Sequence, residues 1–171
     1  MYVLDTQGNL VYTFKNCTAD SRAACLVGGD SSFAGQSASC DYVMVAQSRK
    51  PLIHMYSWTK SQVSLVFHVQ EITTSLVSDA SGMFLFGGTK GGRIFCWQIS
   101  DGTLLRIWQA HFRVITCMKM SPCNTMLVTA SEDGMAAAWN LVDLVDREAK
   151  NVAAAHTWGS HTCVQQQHSW P

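Results

Sequence analysis

His111, Asp133 and the hydroxyls of Thr129 and Ser131 are the residue types of a nucleophilic triad: a base, an acid to orient it, and an alcohol to attack. Residue type alone does not make a triad, because geometry and access identify one. Gly35-Gln36-Ser37-Ala38-Ser39 begins like a nucleophile elbow, but its fifth residue is Ser and no strand leads into it. Gly87-Gly88-Thr89-Lys90-Gly91-Gly92-Arg93 has the glycines of a phosphate loop without the order of one. It lies between two strand-like segments and reads as a hairpin turn. His156, His161, Cys163 and His168 gather metal-capable atoms, but their spacing fits no tetrahedral zinc pattern. No catalytic residue, cofactor site or metal site is assigned from these groups.

The elements that would position such residues are strands. The chain has 171 residues, 47% hydrophobic and 14% charged, which suits a single folded domain and not a disordered chain. Lys plus Arg and Asp plus Glu both number 12. A zero net charge argues against a dedicated nucleic-acid binder, which needs excess cation to displace counterions. The longest basic run is Arg49-Lys50. Seven cysteines, irregularly spaced and without a CxxC, read as reduced and mostly small apolar residues inside a cell. The start shows no basic flank before an apolar run, and no window is long and apolar enough to span a bilayer. A soluble protein is expected.

Trp58, Trp97 and Trp139 end similar segments at intervals of 39 and 42 residues. Ser81–Gly88 aligns over Asn124–Ser131, and each segment then turns through glycine into a second strand that ends in Trp. Gly102-Thr103-Leu104 through Trp108 resembles Gly8-Asn9-Leu10 through Phe14 and reads as an outer strand. Period-two runs of Val, Ile, Thr and aromatics predominate over helical spacing. Ser31–Ser39 reads as a loop, and Val142–Lys150 as a short helix or turn with a solvated face.

A repeat near 40 residues with four strands per unit resembles the WD-repeat β-propeller family. Ala110-His111, Ser131-Glu132-Asp133-Gly134 and Trp139-Asn140 stand where that family has Gly-His, the turn Asp and Trp-Asp. The resemblance implies an all-β partial propeller of about three blades with partial blades at both ends. Residues 1–15 would end a preceding blade; 16–70, 71–110 and 111–150 would be blades; 151–171 would start another. It also implies that His111, Thr129 (or Ser131), Asp133 and Trp139 form a buried hydrogen-bonded tetrad, degenerate in the other blades.

Ala46-Gln47-Ser48-Arg49-Lys50-Pro51 and Trp139-Asn140-Leu141-Val142-Asp143-Leu144-Val145-Asp146 resemble the ribosome-assembly branch of that family. Its fungal members act in processing of the internal transcribed spacer. What this implies is a nuclear, non-enzymatic scaffold subunit of a Rix-type complex. Its partners would be other protein subunits and an AAA-type remodelling ATPase, with no small-molecule substrate, no membrane and no direct nucleic-acid contact. Fungal members are also linked to replication licensing. That branch's propeller extends further at both ends, so the chain is expected to be part of a longer one. The alternative is a WD adaptor such as a ubiquitin-ligase substrate receptor. The Trp-Asp-x-Arg that often marks those receptors is missing after Trp97 and Trp139. The sequence selects no partner-binding surface.

Overall fold

The computed structural model describes residues 2–4, 7–13, 21–28, 40–57, 63–146 and 152–159. Trp58, His161, Cys163, His168 and the loop Ser31–Ser39 lie outside these residues. The rest forms strands, apart from one short helix and the connecting turns. A hairpin of β1 (Tyr2–Leu4) and β2 (Leu10–Thr13) turns at Gly8, whose φ is +86°. The first four-stranded sheet is β3 (Ser21–Gly28), β4 (Cys40–Gln47), β5 (Leu52–Ser57) and β6 (Val63–His68). The second is β7 (Thr73–Ser78), β8 (Phe84–Thr89), β9 (Arg93–Gln98) and β10 (Leu104–Gln109). The third is β11 (Ile115–Met120), β12 (Met126–Ser131), β13 (Met135–Asn140) and β14 (His156–Gly159). Helix α1 (Leu141–Val145) sits between β13 and β14 and buries Leu144.

Each sheet is an antiparallel meander, and the first strand of each lies beside the first strand of the next: β3 against β7, β7 against β11. This is the propeller arrangement the repeat predicts. One strand falls elsewhere than expected. His156–Gly159 does not open a further blade but pairs with β13 as the outer strand of the third sheet. The insert from Leu141 to Ala155 hides this, because the other sheets reach their outer strand within a few residues.

The repeat offset also shifts. Leu85 lies opposite Trp97 and Leu127 opposite Trp139, so the two sheets superpose at 42 residues, one fewer than the alignment of Ser81 over Asn124. At that offset Gly82 (φ +70°) meets Asn124 (φ +57°), and both take the left-handed turn conformation open to Gly and Asn. Asp79 meets Ser121. Asp79 Oδ1 accepts the Phe84 N–H at 2.7 Å, and Ser121 Oγ accepts the Met126 N–H at 3.0 Å. Two unlike side chains therefore close the same turn.

The strands that alternate least are the middle ones, buried on both faces between neighbouring sheets. One core gathers Met44, Ile53, Phe67, Leu85, Phe95 and Trp97 between the first two sheets. Another gathers Phe86, Ile94, Trp108, Ile115, Leu127 and Trp139 between the second and third. Close approach demands small residues there. A Cβ on Gly88 would lie 2.7 Å from Ile115 Cγ2, and one on Gly87 would lie 2.8 Å from Trp97 Cζ3. Gly92 is tightest: its φ is +81°, and a Cβ would sit 2.2 Å from the His111 carbonyl oxygen. Gly92→Ala combines a left-handed penalty with a backbone clash, so it should lower stability by about 2 kcal/mol or more in urea unfolding. An unchanged midpoint would contradict the close approach of the second and third sheets.

Candidate functional site

The third sheet carries the one fully connected set of the predicted polar residues. Strand β11 is preceded by His111, and the β12–β13 turn carries Asp133. His111 Nδ1 lies 3.1 Å from Asp133 Oδ2, and His111 Nε2 lies 2.8 Å from Thr129 Oγ1. The Trp139 indole N–H donates to the same Thr129 oxygen at 3.1 Å. The donors run in one consistent direction. Indole N–H gives to threonine, threonine O–H gives to imidazole Nε2, and imidazole Nδ1–H gives to carboxylate. Ser131, the other hydroxyl considered, does not join this chain; its Oγ accepts the Asp133 N–H at 3.2 Å and closes the turn.

Asp133 is the most heavily used acceptor of the four residues. Its Oδ2 also takes the Phe112 N–H at 3.0 Å, and its Oδ1 takes the Met135 N–H at 2.9 Å. Burial pushes this carboxyl up, but the Phe112 and Met135 amides and neighbouring His111 more than offset that, and its pKa is lowered. Thr129 is fully buried and His111 is 3% exposed. The hydroxyl of Thr129 is thus enclosed by protein and engaged by imidazole and indole, where a nucleophile needs an open approach.

The second sheet solves the same local problem with other residues. In the second, Val69, Gly87 and Gly91 stand where the third has His111, Thr129 and Asp133. Two residues further on, Glu71 accepts from Thr89 Oγ1 at 2.7 Å and from Arg93 Nε at 2.7 Å, and Arg93 Nη2 donates to it as well. Burial raises the Glu71 carboxyl, yet these bonds leave its pKa net lowered. The sequence reading missed this lock, although its signal is present: Glu71–Arg93 and His111–Asp133 are both 22 residues apart. In the first sheet Gln47 Nε2 lies 3.3 Å from the His54 ring and His54 Nδ1 lies 3.2 Å from Tyr56 Oη. Burial and nearby Lys50 push the His54 pKa down.

Of the expected blade-end tryptophans, Trp97 and Trp139 are buried as the fifth residues of β9 and β13. The fifth residue of β5 is Tyr56, also buried, which makes it the positional counterpart. Trp97 stacks on Phe95 with ring centroids 5.6 Å apart, and Trp139 meets Trp108 edge-on at 5.8 Å. Of the metal-capable group, His156 is described; it lies on β14 with its ring 5.9 Å from that of Trp158.

Residues 102–140 match the family described as "WD domain, G-beta repeat". That match spans β10 to β13, the segment that contains the whole His111–Trp139 chain. The chain thus contains a WD repeat. Among WD-repeat relatives it is 30% identical over 152 residues to Protein ROOT INITIATION DEFECTIVE 3 of Arabidopsis thaliana, covering 87% of this chain and 33% of that protein. It is 31% identical to Pre-rRNA-processing protein IPI3 of Candida albicans over 60% of this chain and 25% of that protein. It is 32% identical to Pre-rRNA-processing protein pro-1 of Caenorhabditis elegans, over 71% of this chain and 23% of that protein. This WD-repeat chain thus spans a third or less of the length of these relatives.

The cysteines described as free, Cys25, Cys96, Cys117 and Cys123, differ in burial. Cys96 is buried, with its pKa pushed up to about 12, whereas Cys117 and Cys123 are exposed. Cys123 Sγ lies 2.9 Å from Thr125 Oγ1 and 3.3 Å from Ser121 Oγ. Those hydroxyls favour the thiolate and bring the Cys123 pKa down to about 7.

Three outcomes follow for WD-repeat packing and these thiols. Thr129→Val leaves His111 Nε2 and the Trp139 indole without their partner, so urea unfolding should show a loss of about 2 kcal/mol, while Thr129→Ser restores most of it. Equal stability of Thr129→Val and wild type would refute the connected chain. The lowered Asp133 pKa means its contribution is complete above the ordinary aspartate range and fades as pH falls through the lower folded value. Asp133→Asn should therefore be least stable relative to wild type near neutrality, with the gap closing in acid. A gap independent of pH would contradict that sign. Iodoacetamide should label Cys123 with a rate that rises through a midpoint at about pH 7, and leave Cys96 unlabelled until the chain unfolds. Mass spectrometry of the labelled peptides reads both.

Proposed function

We propose that this protein is a non-enzymatic scaffold in ribosome biogenesis, acting in maturation of large-subunit precursors and processing of the internal transcribed spacer. The observation that carries the reading is the set of relatives named as pre-rRNA-processing proteins in yeasts and nematodes, matched at 27–33% identity. The matches extend well beyond the single repeat that defines the family at large, since they cover 60–83% of this chain. Resemblance to that branch supports the finer reading: a subunit of a Rix-type complex, in the nucleus, beside an AAA-type remodelling ATPase.

The non-enzymatic part of the reading rests on the one triad-like set. His111, Thr129 and Asp133 are arranged with the alcohol sealed inside, its proton given to the imidazole and its oxygen accepting from the indole. In this role the four residues hold a hairpin to the loop that precedes the sheet. The product of the fold is then a fixed set of loops, which is what a scaffold offers its partners.

Affinity purification of the tagged protein from its own cells tests the proposal. Large-subunit precursor RNA that retains the internal transcribed spacer should co-purify, and depletion should raise the level of unprocessed spacer. Purifications that bring down other complexes, with spacer processing unchanged on depletion, would reject the ribosome reading.

A further inference from the structure

The ends of the strands divide the described loops into two sets. Backbone bonds tie Lys90 N to the Ile72 carbonyl, Val69 N to Pro51, and Ala110 and His111 N to Gly92. These bonds gather residues 48–51, 69–72, 90–92, 109–114 and 132–134 at one end. At the other, Ile99 N bonds to Met83 and Leu141 N to Thr125, gathering 79–83, 99–103, 121–125 and 141–146. The first end carries Arg49, Lys50, Lys90 and Arg113, all exposed. The second carries Asp79, Asp101, Asp143 and Asp146, with no Lys or Arg among its described residues. Of the carboxylates at the basic end, Glu71 is held by Arg93, and Asp133 by His111 and two amides.

The basic end also presents an aromatic ring. Phe112 is 92% exposed, the most exposed of the large hydrophobic residues described. Its loop is held on both sides. His111 is fixed by Thr129 and Asp133, the His111 carbonyl accepts from Gln109 Nε2 at 2.6 Å, and the Phe112 N–H is bound by Asp133. An apolar ring in water on a fixed backbone is a pre-ordered anchor, since little backbone entropy is lost when a partner covers it. Between the first and second sheets at this end lies a cleft of about 350 Å³. Pro51 and Ile72 give it apolar wall, and Arg49 and Lys90 stand beside them.

We propose that this end of the blades, with Phe112 as anchor and Arg49, Lys90 and Arg113 on the same end, docks an acidic peptide segment of a partner protein that also carries apolar side chains. Charge complementarity selects the acidic partner, and the cleft and the ring select the apolar side chains. A nucleic acid is disfavoured. Four spread cations release few counterions. The inference rests on the scaffold reading and adds the surface and the partner chemistry. Its test uses purified chain alone, so it can fail while precursor co-purification succeeds, and the reverse.

The probe is a fluorescein-labelled peptide of alternating glutamate and leucine, followed by anisotropy against the purified chain. Saturable binding is expected, weakening as salt rises, with none for the matching lysine–leucine peptide. Phe112→Ala removes an exposed ring without touching the core and should weaken binding about tenfold, the scale of an anchor residue. Lys90→Glu with Arg113→Glu should weaken it by at least about tenfold, because it reverses the charge that steers the encounter. Asp101→Lys, at the other end, should leave affinity unchanged. Absence of saturable binding overturns the proposal, as does binding that ignores Phe112 and both cations. A labelled oligouridylate that binds through these residues in place of the acidic peptide overturns it too, in favour of a nucleic-acid surface.

Discussion

The carbonyl of Gly92 accepts two amides, from Ala110 and His111, across the boundary between the second and third sheets. Almost everything specific about the third sheet depends on that backbone clamp. It requires a residue without a Cβ, since the His111 carbonyl oxygen occupies the space a methyl would need. With His111 fixed by its own main chain, the imidazole reaches Thr129 on one side and Asp133 on the other. Thr129 then satisfies the Trp139 indole, which lets a large ring with a polar atom lie fully inside the core. Asp133, held in place, secures Phe112 and Met135 and so sets both the loop before the sheet and the turn within it. A single close approach of two backbones thus propagates into packing, polar satisfaction and surface.

The second and third sheets share that geometry without sharing residues. Tying the inner loop of a blade to its central hairpin needs an acceptor on one segment and donors on the other. A His–Asp pair does it in the third sheet, and a Glu–Arg pair does it in the second. Removing the buried His and Thr from the second sheet would leave a hole beside the aromatic residue of β9. There Gly87 lets Trp97 lie flush on the strand, and Phe95 and Phe67 pack on the indole. The apolar solution avoids burying an ionisable pair and its desolvation cost. The polar one fixes a unique arrangement through satisfied bonds. Repeats that are free to exchange one solution for the other drift in sequence while the backbone stays put.

That drift explains what the sequence did and did not disclose. Trp97 and Trp139 with their glycine turns made the four-stranded repeat readable, because large buried rings and positive-φ glycines recur there at matching spacing. Tyr56 was invisible as their counterpart, since a nearby Trp58 matched by type while the strand position belongs to the tyrosine. The one-residue slip in the repeat offset has the same origin: Gly82 and Asn124 are chemically unlike but share a positive φ. Strand β14 was read as the start of something new because Leu141–Ala155 separates it from its sheet, and pairing across an insert leaves no local pattern. At the site, residue type left Thr129 and Ser131 equivalent. Only position in the strand decides, since Thr129 points into the core beside Trp139 and Ser131 ends the strand at the turn. The Glu71–Arg93 lock escaped because it sits two residues off the family's positions.

Net charge misleads for a related reason. A sum of zero over the whole chain speaks against strong non-specific attraction to a polyanion. It says nothing about where charges lie. Strands spend their residues on the two faces of each sheet, mostly buried, so the charged residues that remain fall largely in turns at the two ends. Turns of one kind then carry the cations and turns of the other kind the aspartates that close them, as Asp79 and Asp101 do. Among the described residues, an axial separation of charge emerges although the chain's net charge is zero. Such a body meets a charged partner with a preferred end first, and the field that orients the encounter adds no attraction at a distance where both ends cancel. Orientation without general stickiness follows from the blade geometry, through the placement of ordinary turns.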